Sequence, residues 1–321
     1  MPTRKIKNTV ILVAVALTPG ADAAPTGAAN AVLVTEMSIT PFEAQNITRD
    51  LMSGGFGGKA ELVGTATVKV SITVELAGSG TAATPPAWGK LMLGCAMAEG
   101  ILTAPARVEY TPVSTDLKDL TIYYYDDGVL HKLFNVMGAW SLSAKVNERP
   151  TLKFEFTGVD GAMSAVPNAV PNYSTWKIPV AMVKSNVVDV TLGATYAAGA
   201  LNGGTVYPSN GLEIASGNQV EFLNNLSTEK VDITDRDVTG SVEYELTAVQ
   251  EVARKAKVQA NELETLGFTI GKVAGNTVLL FAPSVQHKGY KKVDVKGTRY
   301  AGFDLSFLPI ANNDEFRIVC M

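Results

Sequence analysis

The sequence predicts a mainly β protein made of two tandem copies of one antiparallel unit, each with a flanking α-helix. Three observations predict it. The order of turns and strands from Leu120 to Gly158 returns from Leu266 onward, several apolar segments alternate strictly with a period of two, and only two segments carry helical spacing. Alternation of that kind gives a strand one wet face and one dry face.

In the first copy a strand ends at Asp127-Gly128, and in the second at Gly275-Asn276, both signals of two-residue hairpin turns that need positive φ. An apolar strand follows, to Phe134 and to Phe281, then a polar, Lys-bearing hairpin. The closing strand sets Leu152, Phe154 and Phe156 against Lys153, Glu155 and Thr157, and its counterpart carries Phe303, Leu305 and Phe307.

Taken in order, MPTRKIK followed by VILVAVAL and Ala-Asp-Ala-Ala imitates a secretory signal. A buried strand from Val10 to Leu17, stopped by Pro19-Gly20, explains the same residues, and the apolar run is too short to span a bilayer. We expect the strand, in a soluble cytoplasmic protein. Gly20 to Ala29 reads as a surface arm, and Asn30 to Ile39 resumes strand alternation. Pro41 to Lys59 reads as a long loop ending in SGGFGGK. The loop is no phosphate cradle, because Ser53 stands where the motif needs Gly and Ala60 where it needs Ser or Thr.

Thr67 to Leu76 is the clearest strand, with Val68, Val70, Ile72, Val74 and Leu76 inward and Lys69, Ser71, Thr73 and Glu75 outward. Its counterpart, Thr239 to Thr247, turns Val242, Tyr244 and Leu246 inward and Ser241, Glu243 and Glu245 outward. Each leads to a helix. Thr84 and Pro85-Pro86 open one with Trp88, Leu91, Met92 and Cys95 on its stripe, and Val249, Val252, Ala256, Leu263 and Leu266 mark the other. Gly161 to Pro171 reads as a linker, which divides the chain into domains 1–165 and 166–321. Trp176 to Lys184 and Val187 to Leu192 open the second copy, Gly193 to Gly211 reads as a loop, and Asn30 to Phe42 lines up with Asn210 to Phe222.

Composition excludes several classes. Charged residues are 18% of the 321-residue chain and the net charge is −4, so no basic footprint exists for gripping nucleic acid. Cys95 and Cys320 are the only cysteines and fit neither a disulfide framework nor a zinc site; His131, read as a surface residue, and His287 are too few for a histidine metal site. Asp126-Asp127 is explained by turn chemistry. With no nucleophile elbow, HExxH or dinucleotide fingerprint, we expect no enzyme, no metal and no cofactor. A sheet-rich chain with duplicated halves must pair or blunt its sheet edges, and closure into a ring of subunits pairs all of them.

The segments KNTVILVAVALTPGADAAPTGAANAVLV, SITPFEAQNITRDL, VSITVELAGSGTAATPPAWGKLM, VEYTPVS, LTIYYYDDGVLHKL, LKFEFTG and ITDRDVTGSV resemble the tail tube, or major tail, proteins of long-tailed bacteriophages. That resemblance implies β-sandwich domains with a flanking helix, joined between subunits into a β-barrel ring. Stacked rings would form a virion tube that conducts DNA at ejection, assembled in the host cytoplasm with tape measure, tail terminator and tip proteins as partners. DNA would be present only in transit, and no membrane is involved. Because single-domain members form hexamers, two domains per chain lead us to expect trimers. The loop Pro41 to Lys59 (Pro41, Arg49, Asp50, Phe56, Lys59) and its counterpart Leu223 to Asp237 (Asp232, Asp235, Arg236) are expected to reach the neighbouring ring. The outward faces carrying Lys69, Ser71, Thr73, Glu75, Ser241, Glu243 and Glu245 are expected to line a neutral or mildly acidic channel. A contractile-tail or secretion-system inner tube would share this logic, and a secreted β-sandwich binding module is the competing class.

Overall fold

The computed structural model describes residues 3–52, 54 and 56–321. The N-terminal half contains β1 (Thr9–Val15), α1 (Gly27–Asn30), β2 (Ala31–Val32), β3 (Glu36–Ile47) and β4 (Leu62–Glu75). After α2 (Gly89–Leu93) come β5 (Met97–Thr103), β6 (Ala106–Pro112), β7 (Leu120–Asp126), β8 (Val129–Lys145) and β9 (Thr151–Ala165). The C-terminal half opens with β10 (Val187–Leu192), β11 (Thr195–Ala197), β12 (Ala200–Asn202), β13 (Thr205–Val206), β14 (Ser209–Ala215), β15 (Asn218–Asn224) and β16 (Glu229–Arg236). It ends with β17 (Thr239–Tyr244), α3 (Ala248–Gln259), β18 (Leu263–Ile270), β19 (Val278–Val295), β20 (Thr298–Phe307) and β21 (Arg317–Cys320).

All strand pairs are antiparallel. In the N-terminal half the ladder runs β2–β1–β7–β8–β9–β4–β3. In the C-terminal half it runs β13–β10–β18–β19–β20–β17–β14. The two ladders follow the same succession, and further ladders tie them together. Ser141–Lys145 of β8 pair with Gly211–Ala215 of β14, and β21 pairs with both β6 and β19.

Alternation decides which side chains enter the core. Val68, Val70, Ile72 and Val74 of β4 are almost fully buried, as are Phe154, Phe156, Val242 and Phe303, and all join one cluster that spans both halves. Each such side chain contributes roughly 1.5–3 kcal/mol relative to leaving it in water. Ile11 and Val13 of β1 and Ile122 of β7 face the same cluster, so the apolar N-terminal run is an interior strand.

At Asn135 (φ 46) the β8 ladder to β9 skips between Phe134 and Met137. The bulge redirects β8, which pairs with β7 as far as Val136 and with β14 from Ser141 onward. The Asn135 side chain fixes the bend: Oδ1 accepts from Val231 N at 2.6 Å and Nδ2 donates to Asp119 at 3.3 Å.

Several sequence expectations need correction. Pro41 to Ile47 is strand, because β3 continues as a polar, two-sided ribbon paired with β4 as far as Leu62. The counterpart Leu223 to Asp237 is mostly the β15–β16 hairpin. Gly275-Asn276 lies in a longer connection between Ile270 and Val278, whereas Asp127 (φ 42) and Gly128 (φ 90) do form the expected tight turn. Gly161 to Ala165 completes β9, so the irregular connection starts at Val166 and takes in Trp176 to Lys184. Gly193 to Gly211 holds the β11–β12 hairpin and β13. The first helix is only the five residues of α2, and Leu263 and Leu266 belong to β18, not to α3.

α3 also buries the opposite face from the one its apolar stripe suggests. Val249 and Val252 are exposed, while Arg254 is buried. The helix starts with a capping box between Thr247 and Gln250. Its buried guanidinium pairs with Glu264 of β18, which Lys257 also contacts. His131 is half-buried against Tyr124, not a plain surface residue.

Candidate functional site

A walk across hydrogen-bonded neighbours locates the outward polar residues. On β4, Lys69, Ser71 and Thr73 stand opposite Thr40, Ser38 and Glu36 of β3. On its other side Lys69, Ser71, Thr73 and Glu75 stand opposite Thr157, Glu155, Lys153 and Thr151 of β9. β9 hands the face to Ala139, Ser141 and Ser143 of β8, and β8 hands it to Ala215 and Glu213 of β14. β14 continues to Thr239 and Ser241 of β17. Asp304 and Gly302 of β20 follow, opposite Ser241 and Glu243, then Lys288 and Lys291 of β19.

The strand-ladder joins of the two halves therefore place both predicted groups on one face of eight strands, β3–β4–β9–β8–β14–β17–β20–β19. Glu245 lies one residue past β17, exposed, and Tyr300 Oη donates to it at 3.4 Å. The face is concave: a trough of about 560 Å³ runs over Thr73, Lys153, Ser141, Glu213 and Ser241.

Four of its lysines are matched by carboxylates, and Lys288 donates instead to Ser306 Oγ at 2.6 Å. Lys69 lies 2.6 Å from Glu43, Lys145 2.6 Å from Glu213, Lys153 2.6 Å from Glu155 and Lys291 3.5 Å from Asp304. Pairs this exposed contribute only about 0–1 kcal/mol each to stability. Their larger effect is on the field, because Glu36 and Glu243 then leave the face neutral to mildly acidic. The Lys145–Glu213 pair bridges the two halves at the β8–β14 ladder, and the hydrogen bond to Glu213 holds the Lys145 ammonium above its ordinary pKa.

The residues expected at the loops separate into two groups. Pro41 is exposed on β3, and Arg49, Asp50, Phe56 and Lys59 lie in the exposed segment between β3 and β4. Leu51, Met52 and Phe56 make that segment apolar as well as exposed. Ser53 of the same segment lies outside the described residues. On β16, Asp232 pairs with Lys230 at 2.9 Å, and the Asp235 carboxylate accepts from Arg236 N at 2.8 Å.

The Arg236 side chain turns back into the chain. The side chain is only 11% exposed, and its guanidinium is held 2.5 Å from the Glu315 side chain, itself 8% exposed. It also donates to Val113 O at 3.0 Å and to Asn313 Oδ1 at 3.1 Å. Burial among those partners makes it a clamp within the chain.

Other features escaped the sequence reading. Asp304 was recoverable, since it alternates with Phe303 and Leu305. Nothing in the local pattern announces the β8–β14 ladder or the buried Glu109 network. Glu109 accepts from Arg107 at 2.6 Å, Tyr196 at 2.6 Å and Arg317 at 2.9 Å. Burial pushes its pKa up, but hydrogen bonds from Tyr196 and Arg107 and the Arg317 charge outweigh that and hold it below the usual range.

Cys95 and Cys320 are buried, which raises both thiols well above their ordinary pKa and leaves them poor nucleophiles. Among the described residues no group of three or more His, Cys, Asp or Glu is placed to hold a metal ion, and no helix is long and apolar enough to cross a membrane.

The family model described as phage tail tube protein matches residues 7–307. No curated protein matches the chain.

Proposed function

The chain belongs to the phage tail tube family, and from that premise we propose that it builds a tube of stacked trimeric rings through which DNA passes at ejection. As a family member it is a structural tail component. In our reading each chain supplies two tail-tube-type domains, 1–165 and 166–321. The observation that carries this is the eight-stranded polar face, open at both ends and assembled from four strands of each half in matching order.

Dimensions favour three chains. Twenty-four strands about 4.8 Å apart and tilted about 40° close into a wall on the order of 50 Å across, room enough for a DNA duplex. Six such chains would double the wall diameter. The polar face would form the lumen, where balanced or slightly negative charge repels phosphates and lets DNA slide instead of binding. The exposed segment between β3 and β4 would contact the neighbouring ring, since clustered apolar side chains in solvent mark contact surfaces. The turn of β15–β16, with Leu226 fully exposed, would do the same on the other half. Tape measure, terminator and tip proteins are the partners this role requires, in a virion tail assembled in the host cytoplasm.

Negative-stain electron microscopy of the purified protein at rising concentration tests the reading. Rings and tubes with an open channel are expected. A monomer that stays unassembled at every concentration would overturn it.

A further inference from the structure

Two edges of the eight-stranded sheet have no strand partner among the described residues. β3 pairs only with β4. On β19, Lys291–Val295 pair with β20, whereas β18 and β21 reach only Val278–Gln286. Inside the chain, the equivalents of these two edges do meet: they are β8 and β14.

The equivalence follows from the ladders. Ser71-Ile72 with Glu75-Leu76 and Ser241-Val242 with Glu245-Leu246 share one spacing, which aligns β4 with β17. Ser71 faces Glu155 as Ser241 faces Asp304, and Ile72 faces Phe154 as Val242 faces Phe303. Lys153 and Leu152 therefore match Gly302 and Ala301, and their outer neighbours Ser141 and Leu142 match Lys291 and Lys292. On the opposite flank, Thr40 faces Lys69 as Ala215 faces Thr239, so Glu36–Thr40 match Gly211–Ala215.

Within the chain Ser141 faces Ala215, Leu142 faces Ile214 and Ser143 faces Glu213. We infer that the β8–β14 ladder is the template for the contact between chains, in which β19 of one copy pairs antiparallel with β3 of the next. Lys291 then stands opposite Thr40, Lys292 opposite Ile39 and Val293 opposite Ser38 of the neighbouring copy.

Two observations fit this register. The internal ladder stops at Ala215, and the equivalent Thr40 is followed by Pro41, which has no N–H to extend a ladder. The β19–β20 end carries Lys291, Lys292, Lys296 and Arg299 against the one carboxylate of Asp294, with Lys291 and Lys292 also near Asp304 and Glu251, while the β3 edge from Glu36 to Thr40 carries one carboxylate and no base. Lysines on an open edge discourage pairing with like edges, and Glu36 offers the opposite sign. In the inferred register Glu36 meets Val295, next to Lys296. A second copy of this chain is thus the partner both edges fit.

This inference rests on the ring reading, and the test separates the two. The double variant Thr40→Cys/Lys291→Cys is assembled, oxidised and run without reductant. A ladder of covalent species ending at three chains is expected, with none from either single variant or from Thr40→Cys/Val293→Cys, whose positions lie a diagonal apart. Hydrogen exchange on the unaltered chain covers the case in which the double variant does not assemble. Amides of Glu36–Thr40 and Lys291–Val295 are expected to exchange at least about tenfold more slowly in tubes than in free chain. Tubes that form with no cross-link, or with unprotected amides at these edges, would overturn the register and leave the ring reading standing. If the unaltered chain forms no rings at all, the ring reading falls and this inference with it.

Discussion

The two halves of the chain treat one place in the sheet differently. In the N-terminal half β3 and β4 run on as a single ladder to Ile47 and Leu62, ending in a segment where Met52 and Phe56 stand wholly in solvent. In the C-terminal half the equivalent ribbon breaks at Ser216-Gly217, and β15–β16 forms a separate hairpin. That hairpin is then tied to the body: Asn218 Nδ2 donates to Cys95 O at 3.0 Å and Gly138 O at 2.9 Å, and Arg236 is clamped to Glu315. The N-terminal half extends an exposed arm at this place, while the C-terminal half braces the corresponding hairpin against the body.

The largest expected effect comes from releasing the braced arm. Arg236→Ala leaves Glu315 buried without its cation, which costs about 3–5 kcal/mol. Denaturant unfolding would measure it, and a change under about 1 kcal/mol would show that the clamp does little.

Next is acid sensitivity beneath α3. Burial, helped by the Arg254 charge, pushes His287 from an ordinary 6.5 down to about 4. Between those values the unfolded chain takes up a proton that the folded chain refuses. Stability is therefore highest above about pH 6.5, falls as the pH drops toward 4 and levels off below it, by about 3 kcal/mol in all. His287→Phe should flatten that slope between pH 6.5 and 4 in urea titrations; an unchanged slope would assign it to other groups.

The break itself has a smaller effect. Gly217 has φ +62, and a Cβ there would lie 1.9 Å from Asp237 O. Gly217→Ala should cost about 2 kcal/mol and loosen β15–β16, read as faster amide exchange over Asn218–Asn224. The smallest effect on stability belongs to the exposed arm: Phe56→Ser should leave unfolding within about 0.5 kcal/mol yet shorten or abolish tubes. Normal tubes from that variant would remove the arm from ring stacking.

Much of the fold was legible because burial on one face forces alternation, as at Val68–Leu76 and Leu152–Phe156. The Asp127-Gly128 turn was legible because its backbone demands particular residues. β3 beyond Pro41 was not, since a ribbon wet on both faces has no reason to alternate. α3 misled for a related reason: periodicity marks Val249 and Val252 as one face, but Arg254, satisfied by Glu264, is what the interior accepts. Of the polar face, each strand could be read singly. The β8–β14 ladder that unites them is a long-range pairing that leaves no local trace. The Arg236 pairing was not legible either, because charge in a turn-rich stretch looks like surface until its distant partner Glu315 is seen.

The most direct test of the central claim is native mass spectrometry of isolated rings. Three chains of 33.9 kDa predict a particle of about 102 kDa. A ring at twice that mass would contradict the reading that each chain supplies two of the six positions.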